Sequence, residues 1–350
     1  MKDLMQSLSL TVPVVQAPMA GVQDSALAIA VSRAGGLGSL PCAMLTPEAL
    51  ELQLRAFQAA GVEVFNINFF CHQNPVPDAG REAGWRAALA PYYAEYGIDA
   101  AAVPAGGGRA PFSEDLLELI RPFRPRVVSF HFGLPKPEWL AEIQAWGGLV
   151  WSSATTVDEA IWLYEQGVDA VIVQGVEAGG HRGMFRTDDL ASQRSVWELL
   201  PAVRAAIPLP LIAAGGMASP QKVAAALAAG ASLVQVGTAY LRCSEALTTP
   251  IHRQWLASDA AAHTELTNLL SGRPARGIVN RLLRELGPIS PLAPQFPLAT
   301  AALVPLRAAA EQQGKGDFSP LWCGMDASGC REVSAAEQTL WLVSECATRQ

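Results

Sequence analysis

What most narrows the fold of this chain is a repeat of short apolar runs, most of them separated by a helix-forming stretch. The runs are Pro13–Ala17, Leu37–Leu40, Val64–Phe70, Arg126–His131, Leu149–Ser153, Ala170–Gln174, Pro210–Ala214 and Ser232–Val236. They are too short for buried helices and too continuously apolar for strands with one wet face, so they predict strands covered on both sides. The stretches between them carry helix ends. Ser25 to Ala34 is closed by Gly35-Gly36, and Thr46-Pro47-Glu48 supplies an N-cap, a proline at the first helical position and an acid in the first turn.

Eight β–α alternations within residues 1–245 predict an α/β chain, a (β/α)8 TIM barrel. The alternative is an open doubly wound sheet. Its glycine fingerprint belongs after the first strand and ahead of a helix, whereas Gly35-Gly36-Leu37-Gly38 follows a helix and enters a strand.

Two regions break the repeat. Residues 71–124 are long for a crossover and contain Pro75, Pro77, a predicted helix from about Arg81 to Tyr96 and a Gly106-Gly107-Gly108 break. They read as an insertion over the site. From 246 to 350 the strand pattern stops, and the expectation is an α-helical C-terminal extension packed on the barrel and contributing to the pocket. Helices are predicted over Thr248–Leu270, Ile278–Glu285, Ala301–Gln313 and Ser334–Glu345, with a loop over Ser271–Gly277 and a proline-rich segment from Gly287 to Pro297.

Composition excludes several classes. Half the residues are hydrophobic and the net charge is −7, which argues for a globular chain and against nucleic acid or an anionic membrane as partner. The uncharged run Val223–Leu241 approaches membrane-spanning length but splits into an Ala-rich helix and a Val-rich strand. The N-terminal Met1 to Gln6 has no apolar core of a leader, so the expected location is cytoplasmic. Six scattered cysteines show no C-x-x-C or zinc spacing and there is no H-E-x-x-H, so no metal is expected. The pattern leaves monomer and homodimer both open.

In a barrel of this kind chemistry sits at the C-terminal ends of the strands. Those ends bring together Pro18 and Met19, Asn66 and Asn68, His131, Gln174 with Gly179, Gly180 and His181, Gly215 and Gly216, and Gln235-Val236-Gly237-Thr238. The glycine turns after the seventh and eighth strands are placed to bind phosphate through backbone N–H groups, although a glycine pair also serves as a plain tight turn. Without a lysine-bearing P-loop, a cofactor monophosphate such as FMN suits them better than a nucleoside triphosphate. The carboxamides of Asn68 and Gln174 can both donate to and accept from the edge of a planar heterocycle.

Among the five histidines, His181 stands out because glycines on both sides leave room for a substrate. His131 closes a strand among aromatics. His72 sits just after the third strand and reads as structural, and His252 and His263 read as surface or packing residues. Glu177 is expected to pair with Arg182 or brace the loop.

Several motifs in order resemble one family. Gln16-Ala17-Pro18-Met19, Phe65 to His72, Ser129-Phe130-His131-Phe132-Gly133, Glu177 to Gly183, Ala213 to Gly216, Ser271 to Gly277 and Asp317-Phe318-Ser319 are similar to FMN-dependent nitronate monooxygenases, formerly called 2-nitropropane dioxygenases. The resemblance implies a TIM barrel holding non-covalent FMN, with phosphate at Gly216 and Gln235 to Thr238. It places Met19, Asn68, Gln174 and Gly179 at the isoalloxazine ring, and His181 and His131 at its reactive edge. The implied reaction is oxidation of an alkyl nitronate by O2 to a carbonyl compound and nitrite.

A protonated His181 would stabilise the nitronate charge, and a neutral His181 would remove the α-proton of a nitroalkane. An FMN-dependent NAD(P)H:quinone or enoyl-thioester oxidoreductase is the alternative on the same barrel. Two departures stand out. Family members often carry Trp-Ala-Gly-Gln where this chain has Trp322-Cys323-Gly324-Met325, and some carry tyrosines and a lysine in the segment matching Phe296 to Val304, which here has neither. An anionic substrate then needs another partner, for which Arg182 and Arg109 are the expectations.

Overall fold

The computed structural model of the chain describes residues 3–103 and 109–346. The Gly106-Gly107-Gly108 break lies outside the described residues, as do Met1 and Lys2 of the N-terminal segment. In chain order the strands are β1 (Val14–Gln16), β2 (Ser39–Pro41), β3 (Asn66–Phe70), β4 (Val127–His131), β5 (Leu149–Ala154), β6 (Ala170–Gln174), β7 (Gly180–His181), β8 (Leu211–Ala214), β9 (Leu233–Val236), β10 (Thr264–Thr267) and β11 (Ala275–Ile278).

Eight of them form one parallel sheet in the order β1-β9-β8-β6-β5-β4-β3-β2, and a parallel bridge between Val15 and Leu37 brings its two edges together. This is the predicted (β/α)8 barrel, with all eight apolar runs as its staves. Their alternation explains why. In β6, Val171 and Val173 face the helices, while Ala170 and Ile172 pack inside the barrel with Trp151 and Ile212. Leu4 and Leu8, from the short first helix and its end, join that inner cluster and plug the floor. Gln174, on the same inward face, stands where the packed floor gives way to a cavity.

The predicted helix starts hold. Thr46 accepts from the Ala49 N–H with Pro47 at the first position, and the helix spans Pro47–Ala59. Ser25–Arg33 ends at Ala34, ahead of Gly35 with φ 93°.

The region after residue 245 differs from its expectation. Thr248–Leu270 is not a continuous helix: an α-helix covers Pro250–Leu256, a 3-10 turn Asp259–Ala262, and Thr264–Thr267 is a strand. Ser271–Gly277 is not wholly a loop, because Ala275–Ile278 pairs antiparallel with Thr264–Thr267. The alternating Thr-Glu-Leu-Thr carries period two, but the alanine-rich residues before it lend the window a helical look. Helices do cover Arg281–Leu286, Thr300–Gln312 and Ala335–Leu342.

The insertion packs on this extension. Its helix Ala79–Glu95 shares a core with Thr300–Gln312, built on Trp85, Leu89, Tyr93, Leu303 and Leu306. The Trp85 indole donates to the Ala299 carbonyl and the Tyr93 hydroxyl to that of Ala302, so the polar tips of these buried rings are satisfied. Among the described residues no helix is long and apolar enough to cross a membrane, and no group of His, Cys, Asp or Glu is placed to hold a metal.

Candidate active site

A cavity, partly open to solvent, lies at the C-terminal ends of the barrel strands. Pro18, Met19, Asn68, His131, Gln174, Gly179, Gly180, His181, Gly215, Gly216, Gln235, Gly237 and Thr238 all line it. Two predicted positions do not. Val236 points outward into the core between strands and helices, as its alternation with Gln235 requires. Asn66 lies a layer deeper than Asn68 on the inner face of β3, where its side-chain N–H bonds Ser39.

The glycine turns form the first half of the site. Gly215 and Gly216 have φ of 112° and 69°, a region L side chains rarely enter. A Cβ on Gly215 would also stand 3.1 Å from the Ala178 nitrogen. Among the described residues, the N–H groups of Gly215, Gly216 and Met217, and of Gly237, Thr238 and Ala239, donate to no acceptor of the chain. Two runs of free amides on one cavity make an anion cradle, and Ser219 starts the helix Pro220–Ala228 just beyond it. Gln235 Oε1 is buried without a partner, a vacancy for an N–H or O–H donor. The Asn68 amide donates to Ser129, leaving its oxygen without a donor among the described residues. The first loop is fixed from behind, where Gln23 accepts from both the Met19 N–H and Gln16 and donates to the Ser39 carbonyl. Free amides, an orphaned carboxamide oxygen and glycine-lined space fit a phosphate-bearing planar cofactor.

The second half is the loop from Gln174 to Gly183, and here side chains do the work. Gln174 spends its amide on the loop, donating to the His181 carbonyl at 3.0 Å and accepting from the Gly183 N–H at 2.8 Å. Arg182 is fully buried. It donates to the carbonyls of Gly175 and Gln174 and to Gln193, and burial lowers its pKa to about 9. It is therefore a clamp inside the protein and not the substrate partner expected of it. Glu177 braces the loop by accepting from the Val196 N–H, without an ion pair to Arg182.

Residues the sequence reading had not singled out complete the brace. Buried Glu159 accepts from the Thr155 amide and hydroxyl and from the N–H groups of Phe185 and Arg186. Gln193 links Thr155 to Arg182. Strand β7 pairs with β11, so His181 stands opposite Ala275.

The two predicted catalytic histidines have different surroundings. His131 has both nitrogens engaged, Nδ1 with the Ser153 hydroxyl at 3.0 Å and Nε2 with the His181 carbonyl at 3.2 Å. The carbonyl only accepts, so Nε2 carries the proton. Burial, reinforced by Arg273 and Arg182, lowers its pKa to about 3, which favours the neutral ring. Gly183 packs against it, and a Cβ there would sit 3.0 Å from its Cε1.

His181 contacts Ser271 through Nε2 at 2.8 Å, and its Nδ1 bonds no described residue. Ser271 also donates toward the Arg273 carbonyl, which favours a proton on Nε2 and a bare lone pair on Nδ1. Burial, with Arg109 as the largest charge contribution, pushes His181 well below its usual value. Of the two forms weighed from the sequence, this disfavours the protonated one and favours the neutral one.

Positive charge at the cavity comes instead from Arg109. It is the sole Arg or Lys lining it and has no carboxylate partner among the described residues. His72 is structural, bonded to the Arg109 carbonyl at 3.0 Å. His263 is exposed, but His252 is neither surface nor simple packing: it is 4% exposed, lines the cavity and is held to about 4 by burial.

The extension seals the loops. Trp322 and Gly324 line the cavity, and Gly324 donates to the Thr238 hydroxyl. Gly179 has no space for a side chain, since a Cβ would meet the Gly324 nitrogen at 2.6 Å. In the departing motif, Cys323 is buried and Met325 half exposed, and the contacts to the loop run through backbone.

Barrel, cradle and histidine loop together define an enzyme of the (β/α)8 class. Its relatives agree. The family model for nitronate monooxygenase matches residues 2–345. A nitronate monooxygenase of Pseudomonas aeruginosa is 39% identical over 341 residues, covering 97% of each chain. The solved nitroalkane oxidase of Streptomyces ansochromogenes superposes with a TM-score of 0.89 at 36% identity, over 98% of this chain and 97% of that one. FabK from Thermotoga maritima, at 22% identity and a TM-score of 0.72 over 98% of this chain and 94% of its own, shares the fold alone. The chain belongs to the nitronate monooxygenase family.

Proposed function

We propose that this protein is an FMN-dependent enzyme oxidising alkyl nitronates with O2 to a carbonyl compound and nitrite. The observation that carries the reading is one cavity holding an amide-lined anion cradle, a neutral histidine and a cation without a carboxylate partner. Gly215, Gly216, Gly237 and Thr238 would hold the FMN phosphate, with Asn68 and Gln235 completing hydrogen bonds to the rest of the group. FMN when bound supplies the capacity to take electrons from the substrate and deliver them to O2.

The chain's own residues do the rest. A nitronate is already a carbanion equivalent and needs placement and charge stabilisation, which Arg109 supplies across a partly desolvated site. His181 offers a neutral Nδ1, able to accept the α-proton of a nitroalkane while Ser271 fixes the ring. The extension, through His252, Trp322 and Gly324, and the insertion, through Arg109, contribute to the cavity wall. The free thiols suit a reducing cytoplasm.

The test is a spectrum of the purified protein and its anaerobic titration. Bleaching of the bound flavin by a nitronate but not by NADH supports the reading. Bleaching by NADH alone shifts it to an NAD(P)H oxidoreductase, and a protein that binds no FMN removes both.

A further inference from the structure

The wall beside His181 is aromatic. Phe70, Phe132 and Phe296 pack with Ala43 into one cluster, with ring centroids 4.9 Å apart for Phe70–Phe132 and 5.5 Å for Phe132–Phe296. All three approach the His181 ring, at 6.1, 6.1 and 5.3 Å, and Trp322 stands 5.5 Å from it. Phe70 and Trp322 face the cavity, while Phe132 and Phe296 pack against Phe70. Phe132 holds its place at φ 70°, a conformation a bulky residue adopts only where its surroundings impose it.

Two cations stack on this wall, and among the described residues only one of them lines the cavity. Arg109 lies 5.7 Å over Phe296 and lines the cavity. Arg273 is stacked 4.1 Å over Phe132, bonded to the Met184 carbonyl, and does not line the cavity. One lining cation matches one anion, and the nitronate group is itself that anion.

We infer that the substrate is a nitronate whose carbon substituent is apolar, alkyl or aryl, and that Phe70, backed by Phe296 and Phe132, sets this preference against a substituent bearing a second charge. The inference rests on the nitronate reading above. A carboxylate on the substituent would lose its water against Phe70 and Trp322 and, among the described residues, find no second lining cation to pair with. An apolar group in the same place gains from burial, and an aryl ring gains edge-to-face contacts as well.

The test uses the FMN-loaded full-length protein and compares the nitronates of 3-methyl-1-nitrobutane, 2-phenyl-1-nitroethane and 3-nitropropanoate. The first and last are close in shape, isopropyl against carboxylate. O2 consumption should give both apolar substrates a kcat/KM about tenfold or more above that of the carboxylated one. Phe70→Leu should lower the phenyl-to-isopropyl ratio several-fold. Phe70→Gln, which sets an amide donor in the wall, should raise the carboxylated substrate about tenfold relative to isopropyl. Bound-flavin absorbance reports folding of each variant. A wild-type enzyme that favours the carboxylated nitronate overturns the inference and leaves nitronate oxidation standing. Ratios unmoved in both well-folded variants overturn the role of Phe70. No turnover of any of the three, with flavin bleached by NADH, overturns the functional reading beneath it.

Discussion

The cradle after β8 and β9 and the loop after β6 face the same cavity but are built by opposite means. The cradle is backbone: glycines at φ of 112° and 69° turn free N–H groups inward. The histidine loop is held by side chains drawn from far along the chain. Gln174 and Arg182 grip its carbonyls, Gln193, Thr155 and Glu159 anchor the grip, and Ser271 sets the His181 ring from 90 residues away. A backbone site depends on conformation at two or three positions. A braced site depends on every member of a buried polar network, because each unsatisfied group bears its full desolvation cost.

That contrast can be broken by substitution. The largest effect should come from Arg182→Met, which strands the Gly175 and Gln174 carbonyls and Gln193. The expected loss is about 3 kcal/mol of stability, from buried acceptors left unsatisfied, read as a lower urea midpoint with unchanged slope. In the cradle, Gly216→Val forces a β-branched residue into a left-handed position where a Cβ already meets Glu177 at 3.3 Å. Flavin affinity should fall about 100-fold by fluorescence titration, with a melting temperature much closer to wild type than that of Arg182→Met.

Acid should separate the two halves more gently. His131, at about 3 when folded, and His252, at about 4, both return near 6.5 on unfolding. Between those values the unfolded chain binds more protons. Their contribution is therefore fully present above pH about 6.5 and is lost as pH falls, by up to about 1.4 kcal/mol per pH unit for each group. Urea midpoints at pH 7 and 5 should show the decline, and His252→Leu should make it shallower.

What could be read in the sequence follows the same division. The barrel was legible because eight apolar runs and capped helices are local patterns, and the cradle because glycine pairs at strand ends need no partner. Val236 was misplaced by treating a motif as a block, although strand alternation turns it outward beside Gln235. The brace was not legible: nothing near Glu159, Thr155 or Gln193 announces that they meet at residue 182, and Arg182 looked like a free cation because its carbonyl partners carry no sequence signal. The lowered pKa values of His181 and His131 likewise depend on burial and on distant cations, Arg109 for His181 and Arg273 for His131. Strands β10 and β11 escaped because they pair with each other and β11 alone meets Gly180–His181, a partner only two residues long and distant in the chain.

The central claim is that the cradle holds the cofactor while the loop performs the chemistry, and His181→Asn divides the two. The variant should purify with the same flavin content and FMN dissociation constant as wild type, while kcat/KM for a neutral nitroalkane falls about 100-fold or more. Loss of flavin with the histidine, or turnover retained within a few-fold of wild type, would contradict it.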